Sequence, residues 1–348
     1  MPELALLGGR KAKTKPFPHW PMYDEKERRA LTEVLESRVW WRTPGTKTLE
    51  FERAFAAFHG ARHGIAVTNG TAALEVVMAA LNVGPGDEVI VPDFTFIATA
   101  SAVLFAGALP VMVDVLPDTY CIDSDLVEAG ITQRTKAIIA VHMGGHPADL
   151  DRLSKIARDR GIALVEDSSH AHASEWQGAV LSAQLTRLDE QTAHRHKNAR
   201  LLDRLLGAIA GITPQKLASQ CTRNGQYAYI FHVDRSAFGG ISTEKFIAAM
   251  NAEGIPNQAS YPPLHALDVF KSGEYRRKLT GRQAEEPHPF LKRDFPETHR
   301  AAWETVWIPQ PVLLGDEQDM HEIATALKKI QNHAGDLGTA SVPVRETA

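Results

Sequence analysis

Between residues 64 and 165, short apolar runs alternate with longer stretches whose apolar residues recur at helical spacing. The runs at 64–67 (Gly64-Ile65-Ala66-Val67), 88–91, 109–113, 136–141 and 162–165 predict strands. The stretches at 71–81, 94–105, 123–129 and 149–160 predict helices. Because the strand runs are apolar throughout, they read as strands buried on both faces. That pattern means a mostly parallel sheet covered by helices. Ahead of the alternation, a proline-rich lead-in at 16–21 is followed by Asp24, a cap for a helix to about Arg38. A second helix is expected over 48–58, ending near Gly60.

The alternation stops at Gly178. Glu175-Trp176-Gln177-Gly178 runs directly into Ala179-Val180-Leu181-Ser182-Ala183-Gln184, the start of a long helical stretch marked by Leu185, Leu188, Leu201, Leu202 and Leu205. A strand at 227–233, a helix at 243–253 stopped by Gly254, the loop Tyr261-Pro262-Pro263 and a last helix over 316–332 then predict a smaller α+β domain. The expected organisation is therefore α/β. It has a large domain over 1–200, internally truncated near 178/179, a small C-terminal α+β domain over 201–332, and a disordered tail over 333–348.

Composition narrows the function classes. Hydrophobic residues make up 44% and charged residues 23% of the 348, as in an ordinary globular protein, and the net charge of −4 offers no footprint for nucleic acid or an anionic membrane. No apolar run approaches membrane-spanning length, and Leu4-Ala5-Leu6-Leu7 is too short for the core of a signal peptide, so a cytoplasmic location is expected. Two cysteines, Cys121 and Cys221, are too few for a disulfide framework or a zinc site and read as free thiols. His170 and His172 lack a nearby third ligand, so no metal is expected.

Three places can carry chemistry. Thr68-Asn69-Gly70-Thr71 lies where a strand would hand over to a helix. Free N–H groups of a helix start, with the Thr71 hydroxyl, suit a phosphate, although a plain tight turn reads the same way. Asp93-Phe94-Thr95-Phe96 follows a strand, and an aromatic ring there either stacks on a flat heteroaromatic ligand or belongs to the core. Glu166-Asp167 ends a strand, at the edge where open α/β sheets bind ligands. A carboxylate there can pair with a protonated pyridine nitrogen or simply cap a turn.

Taken together, in this order, these segments resemble the DegT/DnrJ/StrS family of pyridoxal-phosphate-dependent aminotransferases, with aminohydroxybenzoate synthases among its members. The resemblance is carried by Val67 through Glu75, Gly84-Pro85-Gly86-Asp87 with the following strand, Phe94-Thr95-Phe96-Ile97-Ala98-Thr99 and Glu166-Asp167-Ser168-Ser169-His170-Ala171-His172. Trp40-Trp41-Arg42, Glu253-Gly254-Ile255-Pro256 and Tyr261-Pro262-Pro263-Leu264-His265 extend it over roughly residues 4 to 330. It implies a fold-type I pyridoxal-phosphate transferase and amino transfer from glutamate to a keto-sugar nucleotide or related carbonyl. By position, Gly70 and Thr71 would hold the cofactor phosphate, Phe96 would stack on its ring, Asp167 would pair with the ring nitrogen and His170 would lie beside the ring.

The family's lysine, which anchors the cofactor and then moves a proton, lies in a Ser-rich segment that has no counterpart after Gly178. Lys197 falls at about the expected distance, but its setting, Thr192-Ala193-His194-Arg195-His196-Lys197-Asn198, matches the family's inter-domain helix, where a lysine is solvated. Some family dehydratases use a histidine there, and His194 and His196 meet the same objection. The resemblance therefore implies a homodimer, or a heterodimer with a full-length paralogue, with little or no activity of its own. The alternative is a non-catalytic binding or regulatory partner.

Overall fold

The computed structural model describes residues 3–168, 175–219, 221, 224–271 and 293–339. Helices α1 (Glu25–Ser37) and α2 (Lys47–Phe58) precede α3 (Gly70–Ala80), and the alternation then runs β1 (Glu88–Pro92), α4 (Ala98–Phe105), β2 (Leu109–Val113), α5 (Ser124–Gly130), β3 (Thr135–Val141), α6 (Leu150–Arg160) and β4 (Ala163–Asp167). These four strands form a parallel sheet in the order β2-β1-β3-β4. Val89, Ile90, Val91, Ile138 and Ile139 are wholly buried, as continuous apolar strands require.

One expected strand does not form. Residues 64–67 are irregular and Ile65 is 74% exposed. Among the described residues both outer strands, β2 and β4, keep an open edge, and the 64–67 segment pairs with neither. It rests on α2 instead, where the Glu52 carboxylate accepts the Ala66 N–H at 2.9 Å. The approach is close enough that any Cβ on Gly64 would sit 2.4 Å from the Glu52 carbonyl oxygen. A second difference lies at 94–97, expected as helix. The chain leaves β1 in an open turn and α4 begins only at Ala98, leaving Phe96 pointing outward, 54% exposed.

Helix α7 (Glu175–Leu206) is continuous through Gly178 and Ala179. It carries the chain to a second, antiparallel sheet of β5 (Ile212–Pro214), β6 (Ala228–Val233), β7 (Gln258–Ala259) and β8 (Thr305–Pro309), in the order β5-β6-β8-β7. Helices α8 (Thr243–Ala252), α9 (Asp268–Lys271), α10 (Pro296–Glu304) and α11 (Glu317–Asn332) complete this half. Side-chain alternation along β6 and β8 divides the core. Tyr229, Phe231, Val306 and Ile308 face the C-terminal helices, while Ile230 and Trp307 pack with Ile90, Phe94 and Ile138 of the parallel-sheet layer.

The expected boundaries need two corrections. Leu4 is buried in the C-terminal core and Lys13 is ion-paired with Asp319, so the first residues belong with the small domain rather than the large one. Gly254, at φ +90, marks the crossing: a Cβ there would lie 2.3 Å from the Lys13 carbonyl oxygen. The tail is not unstructured from 333. Residues Ala334–Thr339 form helix α12, because Leu337 finds a wholly buried place in the same core; residues 340–348 lie outside the described ones.

Helix α1 is joined to α7 by Glu27, whose carboxylate meets the Arg187 guanidinium while accepting the Asp24 N–H at 2.9 Å. Burial works to raise this carboxyl's pKa, but the Arg187 hydrogen bond and the backbone donors outweigh it and bring the pKa to about 2, well below the usual 4.5. A carboxylate with a depressed folded-state pKa stabilises the fold above its unfolded pKa and loses that stabilisation as pH falls toward 2. The Glu27→Gln protein is therefore expected to start less stable at neutral pH and to lose less stability between pH 4.5 and pH 2 than the parent. Urea titrations by circular dichroism at each pH check this.

Candidate functional site

The C-terminal ends of the parallel strands gather the chemistry. Asp167 ends β4, is only 8% exposed, and accepts the Thr99 hydroxyl at 2.9 Å; the Thr95 and Thr99 hydroxyls lie 3.0 Å apart. Helix α4 begins one residue before Thr99, so the first turn of α4 aims this hydroxyl across the strand ends at Asp167. Next to Asp167 in the chain, Glu166 meets His142, at the end of β3, with 3.1 Å to Nε2. Since His142 Nδ1 accepts the Ala148 N–H at 3.2 Å, the ring proton sits on Nε2 and His142 donates to Glu166.

Phe96 is held from the other half of the molecule. Its ring centroid lies 5.7 Å from that of Tyr261, which in turn packs edge-on against Trp307 at 5.0 Å. The Tyr261 hydroxyl is pushed up to about 12, by burial first and then by the nearby Tyr227 and Asp167. Tyr261 thus stands close to both Phe96 and Asp167, and the C-terminal loop supplies one wall of the site. The loop is pinned by Asp93, wholly buried just after β1. Its carbonyl oxygen accepts the Leu264 N–H at 3.0 Å, and its carboxylate accepts the His265 N–H at 2.8 Å and closely contacts His265 Nδ1. Burial raises the Asp93 carboxyl above its usual value, against the pull of His265, and the Asp114 carboxylate adds to the rise.

The helix start is built separately. Asn69 caps α3 with its side chain accepting the Ala72 N–H at 2.9 Å, which leaves the N–H groups of Gly70 and Thr71 at the positions where a helix has no internal acceptors. Among the residues singled out from sequence, then, Phe96 and Asp167 are linked through Thr99 and Tyr261, and Gly70 and Thr71 are placed by the Asn69 cap. His170 lies outside the described residues. Lys197 is exposed on α7, between His194 and Asn198, which both bond the Gly315 carbonyl oxygen at 2.8 Å. Among the described residues no group of three or more His, Cys, Asp and Glu side chains is arranged to hold a metal ion.

Thr99, Tyr261, Asp93 and His265 were quoted within motifs of the sequence but given no role there. Thr99 follows Phe96 by three residues, a helical spacing that offered a clue. The pairing of residues 93 and 265 gave none, since nothing local connects them. No helix among the described residues is long and apolar enough to cross a membrane.

A parallel α/β sheet with a buried acid and an outward aromatic ring at its C-terminal edge, preceded by a capped helix start and joined to a smaller α+β half, is the architecture of a fold-type I transferase. Among solved structures, the chain superposes on 3-amino-5-hydroxybenzoic acid synthase with a TM-score of 0.82 at 33% identity, covering 93% of this chain and 100% of that one. The chain belongs to the DegT/DnrJ/EryC1/StrS aminotransferase family, which it matches over residues 21–180 and again over 174–328. The two matches overlap at the start of α7, where the strand–helix alternation breaks off. It is 34% identical to 3-amino-5-hydroxybenzoate synthase of Amycolatopsis mediterranei, over 90% of this chain and 96% of that protein. It is also 31% identical to L-glutamine:2-deoxy-scyllo-inosose aminotransferase of Streptomyces fradiae, over 97% and 99% respectively. These two alignments run to 388 and 421 positions, longer than the 348 residues present here, so stretches of each relative have no counterpart in this chain.

Proposed function

We propose that this chain binds pyridoxal 5'-phosphate without a covalent lysine and is an impaired aminotransferase. Its ancestral reaction moves the amino group of L-glutamine onto the keto group of a carbocycle. The observation that carries the cofactor reading is the buried Asp167 carboxylate, aimed by Thr99 beside the outward Phe96 ring. Asp167 takes the protonated ring nitrogen, Phe96 one ring face, and the Gly70 and Thr71 N–H groups with the Thr71 hydroxyl take the phosphate. His170 stands beside the ring by resemblance. When bound, the cofactor supplies an electron-withdrawing ring that acidifies the carbon bearing the transferred nitrogen.

The residues present fit the non-covalent part of such a cradle, while by resemblance the segment that carries the family's anchor has no counterpart after Gly178. Lys13, Lys155, Lys216 and Lys329 are ion-paired with Asp319, Asp159, Asp118 and Glu253, Lys245 bonds the Leu337 carbonyl oxygen, and Lys197 lies on the surface. The chain can orient the ring and hold its nitrogen protonated, but the proton transfer at carbon has lost the lysine that serves as base in the family. The carbocyclic acceptor and glutamine donor follow the Streptomyces fradiae relative, in place of the nucleotide-linked sugar and glutamate expected from sequence.

Saturable binding of pyridoxal phosphate, followed by absorbance, is the expected result, with conversion by L-glutamine about a thousandfold slower than in a full-length relative. Absence of binding sinks the cofactor reading, and turnover at the relative's rate sinks the impairment. A second reading, a non-catalytic partner of a full-length relative, draws on the outer position of β4 and the exposed Ile65. A mixed dimer formed on combining the two proteins, measured by native mass spectrometry, supports it.

A further inference from the structure

The Asp93–His265 pair is more than a clasp between loops. Burying a whole carboxylate is costly unless it is paired, and the backbone N–H groups of Leu264 and His265 already bond Asp93 and pin the loop. The carboxylate goes further and contacts the His265 ring at Nδ1. Phe295 stacks on the same ring at 4.6 Å with 13° between planes, and His299 packs edge-on at 5.1 Å. The imidazole is thereby fixed in position, tilt and tautomer. Its other nitrogen, Nε2, makes no hydrogen bond to a described residue, and the side chain is 17% exposed. This is how a protein presents one ring nitrogen at a set point: Nδ1 is turned to the carboxylate behind the ring and Nε2 faces outward.

The location matches. His265 follows Tyr261 by four residues in the loop that walls Phe96, and Asp93 precedes Phe96 by three, so the imidazole stands at the strand-end edge, over β1. We propose that His265 is a substrate-binding residue whose ring, held between two anions, donates from Nδ1 to Asp93 and from Nε2 to an anionic oxygen group, a carboxylate or a phosphate, and that Asp93 is its positioning residue. The inference rests on reading this edge as the ligand site. A carboxylate would come from the amino donor, and a phosphate from an acceptor that carries one.

The test uses full-length protein labelled with 15N-histidine, titrated with inorganic phosphate and, separately, with succinate, while the His265 ring nitrogens are followed by NMR. The expected result is a saturable shift at Nε2, with Nδ1 protonated throughout; the anion that binds more tightly names the source. In His265→Asn the amide nitrogen replaces Nδ1 and keeps the Asp93 contact, so folding is retained while anion affinity falls about tenfold, the worth of a hydrogen bond to a charged group. In His265→Gln the amide reaches toward the Nε2 position and restores part of that affinity. The inference is overturned if neither anion moves Nε2, or if His265→Asn binds both as the parent does. Pyridoxal phosphate titrated into the same samples separates the two claims. Cofactor binding without an Nε2 response removes only this one, whereas an Nε2 response without cofactor binding supports it and removes the cofactor reading.

Discussion

Replacing Lys13 by alanine is expected to destabilise the protein by about 3–5 kcal/mol, the cost of removing one partner of a buried ion pair. The Lys13 ammonium is 1% exposed, 2.7 Å from Asp319 and 3.2 Å from Glu322, and lies over the Phe17 ring at 4.7 Å. Without it the Asp319 side chain, 3% exposed, is left buried without its paired cation. Asp319 cannot simply turn away, because its other oxygen accepts the Asp316 N–H at 2.8 Å in the capping box of α11. The same strap is held a second time by Glu253, which accepts the N–H groups of Ala5 and Ala12 at 2.8 Å and pairs with Lys329. Loss of Lys13 should therefore release residues 3–15 before the rest. Hydrogen exchange is expected to rise first there and along α11, with a lower urea midpoint overall. A change below 1 kcal/mol would mean that the strap is held by the Glu253 contacts alone.

The second large effect is expected at Asp167. In Asp167→Asn the amide oxygen still accepts from Thr99, so the local geometry should survive while the charge is lost. A neutral amide cannot hold a ring nitrogen protonated. The loss of one charge-assisted hydrogen bond lowers pyridoxal phosphate affinity by about 10- to 100-fold. Unchanged thermal stability together with that loss assigns Asp167 to the cofactor. Equal affinity in the variant and the parent would show that the ring nitrogen lies elsewhere.

Much of this frame was legible because it is local. The strands at 88–91, 109–113 and 136–141 are apolar runs that no other element explains, and the buried Val89, Ile90 and Ile139 show why. What failed in the reading depends on partners. Residues 64–67 have the composition of a strand, yet a strand exists only beside another, and here the segment is held against α2 rather than at a sheet edge. Leu337 sits in a stretch whose small and polar residues suggest disorder, but one leucine with a place in a distant core orders the helix.

The site divides the same way. Asn69, Phe96 and Asp167 stand at element ends that the alternation locates. Tyr261 and His265 meet Phe96 and Asp93 only through the return of the chain from the second sheet, with 172 positions between Asp93 and His265, and no local pattern encodes that. The domain boundary was misplaced for the same reason, since Leu4 and Lys13 bind a core made almost entirely by the other end of the chain.

The central claim is that the cofactor is held here without its lysine. It is tested most directly by incubating the protein with pyridoxal phosphate, reducing with borohydride and measuring the intact mass. Expected is saturable binding before reduction and no stoichiometric phosphopyridoxyl adduct after it, the chain staying at 38.2 kDa. One adduct per chain at a single lysine would contradict the account and identify the residue that replaces the missing anchor.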